Sequence, residues 1–151
     1  MNDLIALYGA PSQAGFESAG FYESTQPDAD LDQIALRYYQ YFIGDLWERF
    51  GEAAWMSAWK PLYTRPLDTK SGIVVELKAI ATPEIVSLVP LFLHSEDSQE
   101  QTQKALSAVF DASDIRNLTI YAIGDGEAMS GVLVAGGSQM GDVTIVILLL
   151  D

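Results

Sequence analysis

The chain has 151 residues and a mass of 16.5 kDa, the size of one domain. Apolar residues make up 49% and charged residues 19%, so the chain can bury a core and is not compositionally disordered. Its 21 acids against 8 bases give a net charge of −13, which argues against nucleic-acid binding and against adhesion to anionic lipid.

There is no cysteine, which excludes disulfides, thiolate metal sites and a cysteine nucleophile. The acidic start Met1-Asn2-Asp3-Leu4 lacks the basic region of a signal peptide, so the cytoplasm is the expected compartment. The longest apolar run covers residues 143–150, far short of the roughly 20 residues that span a bilayer.

Residues 1–30 read as an acidic N-terminal arm attached to a single α+β domain over 31–151. Residues 1–32 hold six acids (Asp3, Glu17, Glu23, Asp28, Asp30, Asp32) and no base. Gly9, Pro11, Gly15, Gly20 and Pro27 punctuate the arm. Leu4, Leu7, Phe16 and Phe21 make it too apolar for a plain solvated tail, so part of it is expected to dock on its own domain or on a partner.

Residues 31–59 read as one long aromatic-rich helix. Asp30 is a suitable cap, and Leu31, Ile34, Ala35, Tyr38, Phe42, Leu46 and Phe50 recur at helical spacing. Trp47, Trp55 and Trp59 make a second stripe, and Gly44 and Gly51 mark breaks or kinks. Residues 60–71 read as a loop that concentrates positive charge in Lys60, Arg65 and Lys70. Residues 72–80 read as a strand with Val75, Leu77 and Ala79 on one face.

Thr82-Pro83-Glu84 has the chemistry of a helix start, with Pro90 ending or kinking that short helix. A second short helix is expected over about 96–110, capped by Asp97 or Ser95. The last third reads as three antiparallel strands over about 117–123, 130–135 and 143–150, with turns at Gly124-Asp125-Gly126 and Gly136-Gly137. The final strand is apolar on both faces, so it should be central, or its outer face should be covered by helices. The expected fold is a four-stranded, mostly antiparallel sheet with a C-terminal three-strand meander, packed by the long helix and two shorter ones.

Chemistry-bearing patterns are sparse. His94, the sole histidine, has Glu96 and Asp97 close by and could serve as a general base, but a lone histidine at a helix junction is more simply a capping or solvated residue. Asp125 and Glu127 with Asp142 could meet a hard cation, yet Asp-Gly at a hairpin tip is ordinary turn chemistry. Gly131, Gly136, Gly137 and Gly141 lie between strands and open no phosphate-binding helix. No serine lies in a nucleophile-elbow pattern. No cofactor, metal site or catalytic residue is therefore assigned.

The unusual feature is aromatic crowding between Tyr38 and Tyr63. Aromatics at helical spacing usually pack in a core, but one helix buries only one broad face, and the remainder suits a partner surface. Trp47, Trp55 and Trp59, with Phe16 and Phe21 of the arm, are the expected partner-binding residues. The function expected is a non-enzymatic protein-interaction module, an acidic chaperone, adaptor or inhibitor of a basic partner, with a second copy of the chain as another candidate partner. The alternative is a small-molecule binder or enzyme with an apolar pocket between the Trp47–Trp59 segment and the sheet, where Arg65, Lys70 or Arg49 meets an anionic ligand and His94 or a carboxylate moves a proton. A DNA mimic would need acids at phosphate-like intervals along one face, and the acids here cluster in the arm and at turns.

Overall fold

One antiparallel sheet organises the molecule, with strand order β1-β5-β4-β3-β2. Its strands are β1 (Glu17–Ser24), β2 (Lys60–Thr64), β3 (Ile115–Gly124), β4 (Ser130–Ser138) and β5 (Asp142–Leu150). The computed structural model describes residues 2–13, 17–26, 29–66, 72–80, 82–93, 99–126 and 129–150. The fold is α+β and forms a single domain, with five strands rather than the four expected.

Helices cover both faces of the sheet. On one side lie α1 (Asn2–Tyr8), α5 (Ile73–Lys78), α6 (Pro83–Val86), α7 (Val89–Leu93) and α8 (Gln99–Phe110). On the other lie α2 (Leu31–Ile43), α3 (Asp45–Phe50) and α4 (Glu52–Met56). Alternation along each strand feeds two cores. Val146 and Leu148 of β5 join the first, while Ile145, Ile147 and Leu149 join the second. This double burial explains why β5 is apolar on every residue from Ile145 to Leu150. Among the described residues no helix is long and apolar enough to cross a membrane.

The fifth strand comes from the segment expected to be a loose arm. β1 pairs antiparallel with β5 from Glu17↔Leu149 to Ser24↔Asp142. Leu4, Ala19 and Phe21 are buried, and the Gly20 N–H donates to Gly9 O at 2.9 Å. Residues 2–8 and 17–24 are thus built into the helical layer and the sheet. Two further strand expectations are corrected. Residues 60–64, expected as loop, form β2, where Pro61 is tolerated because the strand is an edge and its pairing is bulged between Pro61 and Tyr63. Residues 73–78, expected as strand, form α5. Ile73, Leu77 and Ile80 recur at helical spacing and are buried, and the Asp111 carboxylate accepts the Ile73 N–H at 2.9 Å, satisfying a first-turn donor from a distant element.

The long helix expected over 31–59 is three helices. Asp30 caps the first, its Oδ1 accepting the Asp32 N–H at 3.0 Å. Gly44 (φ +63°) and Gly51 (φ +91°) then take left-handed backbone that ends α2 and α3. Pro83 opens α6 as expected, but Pro90 sits inside the first turn of α7 rather than ending a helix. The expected caps Ser95 and Asp97 lie outside the described residues. Gly136 and Gly137 are not a turn; they lie inside β4, and the reversal comes after Ser138, where Gly141 N–H donates to Ser138 O at 3.1 Å. The reason for glycine at 136 is packing: a Cβ there would stand 2.7 Å from the Phe110 ring.

Candidate functional site

The α2–α4 layer carries the aromatic crowding, and burial divides it. Trp55 is fully buried and its Nε1–H donates to Leu46 O at 2.8 Å. Trp47 is buried edge-on to Tyr39, with ring centroids 5.5 Å apart. Trp59 is half-buried between the stacked rings of Tyr39 at 5.3 Å and Tyr121 at 4.6 Å. Phe21 is buried under Tyr38 and Tyr41, at 5.0 and 5.9 Å. Trp47, Trp55 and Phe21, expected as partner contacts, therefore point into the core; Trp59 is mostly sandwiched, and Phe16 lies outside the described residues.

Polar groups lock this layer to the sheet. The Tyr39 hydroxyl donates to Trp55 O at 2.7 Å and accepts the Gly124 N–H at 3.1 Å. The Tyr121 hydroxyl donates to the Asp32 carboxylate. Burial raises both phenols above their ordinary value, and for Tyr121 the Asp32 charge adds to it.

What this layer presents to solvent is different. Phe50 is 60% exposed and Tyr41 47% exposed. Asp32, Asp45, Glu48 and Glu52 are exposed on the same three helices, together with Arg37 and Arg49. Arg37 is engaged by Glu23 of β1. The outer face of α2–α4 thus carries two large exposed aromatics, four exposed carboxylates and two exposed arginines.

Beside Phe50 opens a cleft of about 900 Å³ at the β3–β4 turn. Phe50, Leu62, Ile85, Ile123 and Met129 give its apolar lining, and Lys60, Thr82, Asp125 and Ser130 its polar groups. Two of the cations expected to serve such a pocket are elsewhere. Arg65 is bound to Glu76 and Asp111. Arg49 is exposed on α3 and does not line the cleft. Lys70 and His94 lie outside the described residues. Lys60, read from sequence as part of a basic loop, is the cation that β2 places here. Neither it nor Phe50 could be singled out beforehand, because the cleft is assembled from α3, α4, β2, α6, β3, β4 and the β3–β4 turn.

Asp125 and Asp142 do not converge. Asp125 Oδ1 accepts the Met129 N–H at 3.0 Å within the β3–β4 turn, whereas Asp142 accepts the Ser24 hydroxyl at 2.9 Å beside the opposite turn. Glu127 lies outside the described residues. Among the described residues no three acidic or histidine side chains are grouped to hold a metal ion. No protein-family model matches the chain, and neither a curated protein nor a solved structure matches it.

Proposed function

We propose that this chain is a non-enzymatic protein-interaction module of the cytoplasm, binding a basic partner through the outer face of α2–α4. The observation that carries this reading is Phe50, a large aromatic left 60% exposed between Glu48 and Glu52. Exposed aromatics are the side chains that anchor interfaces, and the surrounding carboxylates together with a net charge of −13 favour encounter with a positive surface. A tagged pull-down at low and moderate salt, with partners identified by mass spectrometry, tests it. The reading expects a stoichiometric basic protein whose recovery falls as salt rises. Recovery of the chain alone, or only of a second copy of itself, contradicts a basic partner.

The cleft beside Phe50 favours a second reading, a small-molecule binder. Its volume of about 900 Å³ falls in the range of ligand pockets, and its lining mixes apolar side chains with several polar groups. A saturable change in tryptophan fluorescence on adding apolar ligands tests it, since Trp55 contacts the lining residue Phe50 at 6.2 Å between ring centroids.

A further inference from the structure

We infer that the cleft at the β3–β4 turn takes a small monocarboxylic acid with an apolar tail, its carboxylate held by Lys60. This rests on the second reading above, that the cleft binds small molecules.

The chemistry of the cleft points to an acid. Of its polar groups, Asp125 is committed to the turn: its carboxylate accepts the Met129 N–H at 3.0 Å and its own N–H donates to Met129 O at 3.3 Å. Lys60 has no ion pair among the described residues, in contrast to Arg37 and Arg65. Thr82 stands before α6 without donating or accepting a side-chain capping bond. A carboxylate at Lys60 would gain a charge-assisted partner, and the hydroxyls of Thr82 and Ser130 are further donors in the same lining. The tail would lie on Leu62, Ile85 and Ile123, where burial of apolar surface supplies the binding energy. Pairing of β2 with β3 sets the Lys60 backbone opposite Ala122 of the lining, and the residue is exposed.

The net charge of −13 sharpens the inference. The protein as a whole repels anions, so an acid binds only through a local cation. Lys60 is exposed, so salt screens its contact with the acid as well as the long-range repulsion, and affinity for the acid should vary less with salt than affinity for a basic protein partner.

Calorimetric titration of the full chain with octanoate and with 1-octanol, on wild type and Lys60→Met, tests this. Octanoate should bind wild type saturably and lose about tenfold or more in affinity in Lys60→Met, as removal of a charged hydrogen-bond partner does, while octanol changes little. Methyl resonances of Ile85 and Met129 should shift on binding. Equal binding of both probes with no effect of Lys60→Met would overturn the carboxylate inference and leave the cleft reading standing. Binding of neither probe, or shifts confined to other residues, would overturn both.

Discussion

Arg65 donates through Nε to both carboxylate oxygens of Glu76, at 2.8 and 3.1 Å, and Glu76 is only 3% exposed. Tyr63 donates its hydroxyl to the same carboxylate at 2.6 Å, and Arg65 reaches on to Phe110 O at 2.8 Å and Asp111 at 3.0 Å. The end of β2 is thereby tied to α5 and to the end of α8. Removing the carboxylate strands a largely buried guanidinium. Glu76→Ala should lower unfolding stability by about 3–5 kcal/mol, and Glu76→Gln, which keeps hydrogen-bonding atoms, by about 1–3 kcal/mol. Urea unfolding checks both, and equal stability of Glu76→Ala and wild type would contradict the role given to the pair.

The same cluster predicts an alkaline weakening. Burial, then the hydrogen bond to Glu76 and its charge, push the Tyr63 phenol from 10.0 up to about 12, with Arg65 pulling the other way. A raised phenol favours the fold as long as it stays protonated. That contribution is complete below about pH 10 and is lost as pH rises through about 12, because the unfolded chain releases the proton first. Burial raises Tyr8, Tyr39 and Tyr121 as well, so they act in the same direction. The urea midpoint should fall between about pH 10 and about pH 12, and Tyr63→Phe should reduce the slope while lowering the starting stability. A midpoint independent of pH over that span would refute it.

Trp55 and Phe50 touch, with ring centroids 6.2 Å apart, but they answer to different forces. Trp55→Ala empties a fully buried site and leaves Leu46 O without its donor, so it should cost about 3–5 kcal/mol. Phe50→Ala removes an exposed ring and should change stability by no more than about 0.5 kcal/mol. Thermal unfolding of the two variants separates them. A comparable loss in both would place Phe50 in the core and remove it from the proposed contact surface.

Removing residues 1–24 should not release a free domain. The deletion takes away buried Leu4, Tyr8, Ala19 and Phe21 and exposes the edge of β5, a long apolar strand open to pairing with other chains. The shortened protein should aggregate on expression, as judged by its solubility and light scattering. A monomeric, cooperatively unfolding product would show that β1 is dispensable.

The C-terminal meander was legible in the sequence because its strands are long and β-rich and Gly124-Asp125-Gly126 marks its first turn. The helix breaks at Gly44 and Gly51 were visible for the same local reason. β1 was hidden, since Glu17-Ser18-Ala19-Gly20-Phe21 offers one large apolar side chain and its partner strand lies more than a hundred residues away. The sequence of α5 is ambiguous because residues 73–80 satisfy two periods at once. Val75, Leu77 and Ala79 alternate, while Ile73, Leu77 and Ile80 recur helically, and the buried Glu76 is satisfied by Tyr63 and Arg65 of another element. The aromatic stripe could be read, but its division into buried Trp47 and Trp55 and exposed Tyr41 and Phe50 depends on where α3 and α4 turn. A pocket between the Trp47–Trp59 segment and the sheet was among the expectations, and Phe50 and Ala54 of that segment line the cleft, but Lys60 could not be assigned to it because β2, α6, β3 and the β3–β4 turn also converge there.

The most direct test of the proposed role is quantitative capture of the basic partner by wild type and by the double variant Tyr41→Ala, Phe50→Ala, with unfolding curves run in parallel. The account predicts a loss of about tenfold or more in affinity while the unfolding midpoint stays put, as expected when exposed anchor residues are truncated. Undiminished capture by the folded variant would contradict the assignment of the α2–α4 face as the binding surface.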